Sequence, residues 1–193
     1  MPLPNDAAFA FLSNRRSRPA KLFSGPVPDR AALEPILMAA LRVPDHGKLE
    51  PWRLVVLQRA ALMRLADLAE ARGRALGGDA GMIGKGRGQY DLSQLAVAVI
   101  SAPKVSDKVP LSEQMQSASS VCFGLVNAAE AAGWGANWLS GWPVYDRGFV
   151  EAGFGCVAGE TVAGIVHIGT PGMADGPDRP RPDLARIVTW AAE

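Results

Sequence analysis

The chain has few of the residues that form the commonest kinds of functional site. It contains two cysteines, Cys122 and Cys156, which are too far apart for a metal-binding pair. We interpret them as buried free thiols in a reducing compartment, although the sequence leaves a disulfide between them open. It also contains only two histidines, so a metal catalyst would need several carboxylate ligands. We therefore expect no metal centre.

Neither sign of charge dominates the sequence. There are 20 Lys and Arg against 19 Asp and Glu, a net charge of +1. Proteins that bind nucleic-acid backbones usually have a basic excess, so no nucleic-acid partner is expected, and one would require binding that weakens steeply with salt.

The apolar run at 95–100 is far shorter than the roughly 20 residues of a membrane helix. Near the N-terminus, apolar residues precede Arg15 and Arg16, the reverse of a secretory signal. We expect a cytoplasmic protein.

The short motifs that bind phosphate or perform hydrolysis are also missing. The pair Gly84-x-Gly86 is followed by Gln89 where a dinucleotide fingerprint has glycine, and the glycine pair at 153 and 155 has a similar defect. There is no Walker sequence, no Gly-x-Ser-x-Gly and no His-Glu-x-x-His. These absences argue against a nicotinamide Rossmann domain, a P-loop enzyme, a serine hydrolase of that type and a zinc protease.

Apolar periodicity predicts helices interleaved with strands in a single domain, 1–193. The continuous apolar run at 95–100 is typical of a central strand covered on both faces. Pro35 is expected to kink the second helix or delay its start, and the glycine-rich segment 77–88 is interpreted as mobile, in part helical, and bordering a site. The predicted strands are 53–58, 95–100, 133–141 and 162–168, and the main helices end near 14, 41, 76, 132 and 152. This pattern indicates an α+β or α/β fold.

The segment from Arg42 to Arg53 is the most informative part of the sequence. Pro44 and Pro51 prevent a continuous helix, and Pro51 is expected to hold Glu50 extended. The same segment carries an imidazole, two cations and an indole, from His46, Lys48, Arg53 and Trp52. A rigid loop with these groups in front of a strand suits a planar anionic cofactor. The alternative is that His46 is an ordinary loop histidine bonded to nearby backbone.

Two further features have both a functional and an ordinary interpretation. Arg15, Arg16 and Ser17 could bind a phosphate, because guanidinium groups and a hydroxyl supply many donors in fixed geometry. A basic cluster after a helix is, however, often only a solvated surface. His167 lies inside a predicted strand, where we expect a hydrogen-bonded core residue.

Several of these elements occur together in a recognisable order. They are Arg15-Arg16-Ser17, the Pro44-Asp-His-Gly-Lys48 loop, Gly133-x-Gly-Ala-x-Trp-x-Ser-Gly141 and Ile168-Gly-Thr-Pro171. Together they resemble the nitroreductase family, in particular its small branch with the Pro-Asp-His-Gly-Lys loop, from about residue 7 to 190. The resemblance implies an α+β fold with a central, mostly antiparallel sheet flanked by helices. It also implies a homodimer with two FMN molecules at the subunit interface and a C-terminal extension that reaches across the partner.

The resemblance further implies roles for particular residues. Arg15, Arg16 and Ser17 match positions that hold the phosphate and ribityl chain of FMN, and Arg42 and His46 match positions that contact it from the other subunit. The segment Trp138, Leu139 and Ser140 matches the strand that runs along the isoalloxazine. Arg179 and Arg181 are expected as further phosphate ligands.

The implied activity is an oxidoreduction in two half-reactions. Hydride passes from NAD(P)H to flavin N5, and a nitroaromatic, a quinone or a similar small acceptor then removes the electrons. No protein nucleophile or acid–base pair is required, because the flavin performs the chemistry. The alternative is a non-catalytic flavin-binding protein for storage or sensing, in which 77–88 would exclude a second substrate.

Overall fold

The computed structural model describes residues 3–172 and 180–191, in which helices pack on both faces of one sheet. The strands are β1 (Trp52–Gln58), β2 (Leu95–Ser101), β3 (Gly135–Leu139) and β4 (Thr161–Gly169). The helices are α1 (Asp6–Asn14), α2 (Arg30–Ala40), α3 (Arg59–Ala75), α4 (Ala80–Asp91), α5 (Leu111–Ala131), α6 (Arg147–Phe154) and α7 (Leu184–Ile187). Short 3₁₀ turns occupy Ala20–Leu22, His46–Lys48 and Trp142–Tyr145.

All strand pairs in the sheet are antiparallel, in the order β1-β2-β4-β3. Every residue of β2 is buried, which confirms the prediction of a central covered strand. The strand β3 lies at one edge of the sheet, where Asn137 is opposite His167 and Leu139 is opposite Ile165. The four predicted strands are therefore confirmed, and the fold is α+β with an antiparallel sheet.

The alternation of side chains along β2 divides the core into two layers. Val97 and Val99 pack in the layer that contains Leu125 of α5 and Ile36 of α2. Ala96, Ala98 and Ile100 point to the opposite face, where α3 and α6 supply the apolar cover. Full burial of each large aliphatic side chain contributes about 1.5–3 kcal/mol, which explains why α5 is apolar over more than one face.

The N-terminal ends of the first two helices form as their sequences predict. The side chain of Asn5 accepts a hydrogen bond from the Ala8 N–H at 3.0 Å, and Asp29 Oδ1 accepts one from Ala32 N–H at 2.8 Å. The helix α2 begins at Arg30 with Pro35 inside it, so the expectation that Pro35 delays the start was wrong. The cap at Asp29 already fixes the first turn, and Pro35 removes one backbone donor farther along the helix.

The glycine-rich segment 77–88 is in part helical, as predicted, because the residues from Ala80 onward belong to α4. Asp79 caps this helix through a 2.7 Å hydrogen bond from the Met82 N–H. The helix also has a tertiary anchor, since Trp142 Nε1 donates to the Met82 carbonyl at 2.9 Å. A Cβ at Gly86 would lie 2.5 Å from Trp142 Nε1, so this glycine makes room for the indole.

Replacement of Gly86 with alanine is expected to lower the free energy of unfolding by about 1–3 kcal/mol, the usual cost of overpacking. The control is Gly84→Ala, in the same helix, where a Cβ would meet no atom within 4 Å. That variant should be as stable as the wild type or slightly more so, because alanine favours the helix. Urea denaturation measures both values. Equal stability of the two variants would mean that the indole does not pack tightly on α4.

The segment 42–53 contains a turn at Lys48 and Glu50, whereas the sequence predicts an extended backbone at Glu50. Glu50 has a φ of +46° and Lys48 a φ of +54°, so the expectation that Pro51 holds Glu50 extended was wrong. The cause is Asp45, whose two carboxylate oxygens accept hydrogen bonds from the N–H groups of Leu49 and Glu50 at 3.1 and 2.9 Å. These bonds close the turn and offset the backbone strain.

The remaining core predictions concern the histidine in β4 and the two cysteines. His167 is fully buried, its Nδ1 lies 2.9 Å from Ser93 Oγ, and burial lowers its pKa to about 4. It is therefore a neutral core residue, as expected. Cys122 and Cys156 are free and buried, which confirms that prediction as well.

Within 3–172 and 180–191, no helix combines the length and apolar character needed to cross a membrane.

Candidate functional site

Two adjacent clefts follow the open edge of β3. The first, which we call the arginine cleft, has a volume of about 410 Å³. The second, the strand-edge cleft, has a volume of about 390 Å³. The arginine cleft is lined by Phe11, Asn14, Arg15, Arg16, Arg18, Glu130, Gly133, Trp134 and Pro171, and the strand-edge cleft by Pro19, Ala20, Lys21, Gly88, Gln89, Leu92, Ser93, Asn137 and Leu139.

The clefts are neighbours because the same two segments of chain form a wall of each. Arg18 lines the first and Pro19 the second, so the walls join at consecutive residues. The two segments are tied together by Asn137, whose Nδ2 donates to the Arg18 carbonyl at 2.6 Å. The segment after α1 therefore runs beside β3 and lines both clefts, which we together call the trough.

The arginine cleft has an excess of positive charge. Three arginines and one acidic residue, Glu130, line it. Arg15 Nε donates to Glu130 Oε2 at 2.5 Å, and Arg15 Nη2 donates to Ser17 Oγ at 3.1 Å. The pair with Glu130 holds the Arg15 side chain against the last turn of α5. Of the three residues that the sequence predicts as phosphate ligands, Arg15 and Arg16 line the cleft, and Ser17 bonds with Arg15.

The strand-edge cleft is mainly apolar, with a small number of polar groups. Leu139 of β3 lines it. The indole of Trp138 points elsewhere, since it lies across Gly164 of β4, where a Cβ would overlap it. Ser140 follows β3 and is exposed. Among the predicted ring-side residues, Leu139 therefore reaches this cleft with its side chain.

Two residues of the strand-edge cleft were missed in the sequence analysis. Gln89 appeared there only as the residue that breaks a glycine fingerprint, yet it lines the cleft. Its Nε2 is buried and has no hydrogen-bond partner within the described part of the chain. Lys21 supplies a cation to the same cleft. No signal in the local sequence singles out either residue, because α4 and the turn Ala20–Leu22 meet β3 only in the folded chain.

His46 and Glu113 lie at the other end of the molecule from the arginine cleft. His46 Nδ1 is 2.8 Å from Glu113 Oε2 in the first turn of α5, whereas Glu130 lies in its last turn. The two acidic residues are separated by about 25 Å along the helix, at 1.5 Å per residue. His46 therefore cannot reach the arginine cleft of its own chain. Arg42 follows α2 near the middle of α5, where Ala40 packs on Gly124.

The loop 42–53 uses two of its predicted cofactor-holding groups for internal contacts. The Trp52 indole N–H donates to Ser117 Oγ at 3.1 Å, and Arg53 Nη2 donates to Glu160 Oε2 at 2.7 Å. The second contact raises the pKa of Arg53 and lowers the pKa of the Glu160 carboxyl, mainly through the hydrogen bond between them. Trp52 and Arg53 thus attach the loop to the body of the fold.

Of the two arginines predicted as phosphate ligands in the C-terminal tail, the structure describes Arg181. Arg181 Nη2 donates to the Ser13 carbonyl at 2.8 Å, two residues before Arg15. The tail therefore contacts the end of α1 close to the arginine cleft. Arg179 lies outside the described residues. No group of three or more His, Cys, Asp or Glu side chains in the described residues could hold a metal ion.

Comparison with known proteins agrees with this geometry. The model of the nitroreductase family matches residues 12–170. The Escherichia coli (strain K12) protein named "Putative NAD(P)H nitroreductase YdjA" is 31% identical over 183 residues, 95% of this chain and 98% of that protein. A nitroreductase-like family protein from Bacillus cereus has the same fold, with a TM-score of 0.75, 20% identity and full coverage of both chains. A Desulfovibrio desulfuricans structure, described as a nitroreductase in complex with FMN, aligns with a TM-score of 0.73 and 18% identity over 98% of this chain and 99% of that one.

The antiparallel sheet with helices on both faces, together with the nitroreductase relatives, identifies the protein as an oxidoreductase. The chain belongs to the nitroreductase family. The predicted family and fold class are thereby confirmed.

Proposed function

We propose that this protein is an FMN-dependent oxidoreductase that transfers hydride from NAD(P)H to a nitroaromatic, a quinone or a similar small acceptor. The observation that carries the proposal is the trough along β3, which joins a cleft lined by three arginines to a mainly apolar cleft. A molecule with a phosphate at one end and a flat apolar ring at the other matches this order of environments. The buried free thiols fit a protein that works in the cytoplasm.

The arginine cleft fits the phosphate end of FMN. Three arginines and one acidic residue, Glu130, line it, and guanidinium groups match the geometry of a phosphate. Arg15 is already oriented by Glu130 and Ser17, so little side-chain entropy is lost when a phosphate binds. Arg16 adds a second guanidinium, and Arg181 from the tail lies near enough to contribute to the field.

The strand-edge cleft fits the ring system. Leu139 and Leu92 supply apolar surface, whereas Gln89 and Lys21 supply N–H donors. When bound, the flavin accepts hydride at N5 and passes reducing equivalents to the acceptor, so that the protein needs no nucleophile of its own. The residues of the cleft hold the ring, keep water from one of its faces and place donors beside its carbonyl groups.

The position of His46 supports a site shared between two copies of the chain. His46 is bonded to Glu113 at the start of α5, and the arginine cleft is at the end of α5. Between these ends, α5 presents Met115, Ser119 and Phe123 on one outer face, with Met115 46% and Phe123 54% exposed. We propose that a second copy covers this face through a twofold axis. The antiparallel arrangement would put the Glu113 end of one copy beside the Glu130 end of the other, so that Arg42 and His46 complete the site.

The first test is reduction of the FMN-loaded protein. Anaerobic addition of NADH or NADPH is expected to bleach the yellow colour, and a nitroaromatic or a quinone is expected to restore it. Absorbance near the flavin band measures both steps. A protein that binds FMN but is not bleached by either nucleotide would be the non-catalytic binder instead. A colourless, monomeric protein in excess FMN would contradict the proposal altogether.

A further inference from the structure

The side chain of Gln89 has a buried polar atom in the strand-edge cleft without a partner in the part of the chain that the structure describes. Its Nε2 is buried on the wall of the strand-edge cleft and has no hydrogen bond within the described residues. A buried amide N–H without a partner costs about 1–3 kcal/mol. The other carboxamide of the cleft, Asn137, is already occupied, because it donates to the Arg18 carbonyl at 2.6 Å. Gln89 is therefore available to a ligand, whereas Asn137 is not.

The position of the Gln89 carboxamide is fixed by its surroundings. Its Oε1 lies against Gly141, where a Cβ would overlap it. The next residue, Tyr90, is fully buried and stacks near Phe149 with ring centroids 5.4 Å apart, which anchors this turn of α4. The start of α4 is held by the Trp142 hydrogen bond to the Met82 carbonyl. The turn of α4 that carries the carboxamide is thus held beside the end of β3.

We infer that Gln89 donates a hydrogen bond to a carbonyl oxygen of the flavin ring and thereby stabilises the reduced cofactor more than the oxidised one. This inference rests on the proposed function. Reduction increases the negative charge on the pyrimidine part of the ring, and a hydrogen bond to a more negative acceptor is stronger. A donor that is already oriented costs no reorganisation when that charge develops.

The direct test is Gln89→Leu, which removes both polar groups and keeps a similar volume. The variant is expected to bind reduced FMN about tenfold more weakly, relative to oxidised FMN, than the wild type does. For a two-electron couple, that factor lowers the midpoint potential by about 30 mV. Spectroelectrochemical titration gives the potential, and quenching of flavin fluorescence gives the affinity of the oxidised form. The control is Gln58→Leu, the same change at the exposed last residue of β1, which should leave the potential unchanged.

A double-mutant cycle tests whether the effect depends on the position of the carboxamide. Gly141→Ala should displace Gln89 and lower the potential in the wild-type background, because its Cβ would overlap Oε1. In a Gln89→Ala background the same change should have no further effect on the potential. An equal effect in both backgrounds would overturn the role of Gln89, since alanine at 141 would then act on the cofactor directly.

The outcomes separate this inference from the proposed function. A wild-type protein that binds FMN, together with a Gln89→Leu variant of unchanged potential, overturns the inference about Gln89 alone. A wild-type protein that does not bind FMN overturns both. A fall in potential in Gln89→Leu but not in Gln58→Leu supports both.

Discussion

Replacement of Arg16 with alanine is expected to weaken FMN binding by about 10- to 100-fold while the fold stays intact. A charge-assisted hydrogen bond contributes about 1.5–3 kcal/mol, and each 1.4 kcal/mol is a factor of ten in affinity. Arg15 is not the probe of choice, because it forms an ion pair with Glu130. Removal of Arg15 would leave the carboxylate of Glu130 without its partner and would confuse stability with binding.

The affinity is measured by titration of the apoprotein with FMN, and the fold by circular dichroism. Arg64→Ala is the matched control, since Arg64 is an exposed arginine of α3 that lines neither cleft of the trough. Its affinity for FMN should equal that of the wild type. If Arg16→Ala binds FMN as tightly as Arg64→Ala does, then Arg16 is an ordinary surface residue and the phosphate lies elsewhere.

The second large effect is expected when two inactive variants are mixed. We expect Arg16→Ala and Arg42→Ala each to bind FMN poorly, because each lacks one contact of every site. In a mixed dimer, one site carries both substitutions and the other carries neither. Random exchange of subunits should therefore restore about a quarter of the wild-type sites, since half of the dimers are mixed and each has one intact site.

The control for this experiment is a pair of variants on the same side of the site. Mixing Arg16→Ala with Arg16→Gln should restore nothing, because every site in the mixed dimer still lacks the Arg16 guanidinium. Activity and bound FMN after co-refolding are the measurements. No recovery in the Arg16 and Arg42 mixture, with dimers present, would contradict a site built from two chains.

The loop 42–53 illustrates how far local sequence could lead. Its two prolines excluded a helix, and its composition marked it as unusual. The backbone nevertheless has positive φ values at Lys48 and Glu50, because the Asp45 carboxylate binds two consecutive N–H groups. Trp52 and Arg53 turned out to bond with Ser117 and Glu160, which are distant in sequence. Such long-range contacts cannot be predicted from the residues that neighbour Trp52 and Arg53 in the sequence.

The helix α4 shows the opposite difficulty. Its glycines lower the local helix propensity, and the segment was read as mobile for that reason. Gly86 is required because Trp142 packs against it, and the bond from the indole to the Met82 carbonyl helps to hold the helix. Tertiary packing therefore overrode propensity. The same packing places Gln89 in the wall of the strand-edge cleft. The local sequence around Gln89 does not predict this position.

The sequence by itself determined the family, the four strands, the burial of β2, the caps of the first helices and the arginine cluster beside Ser17. These features depend on residue type and spacing along a short stretch of chain, which the printed sequence shows directly. Only the tertiary structure decided that Arg15 bonds with Glu130, that His46 lies at the far end of α5, and that Gln89 faces Leu139 across a cleft. These relations join segments up to 115 residues apart, and they arise when the two faces of the sheet are packed, not before.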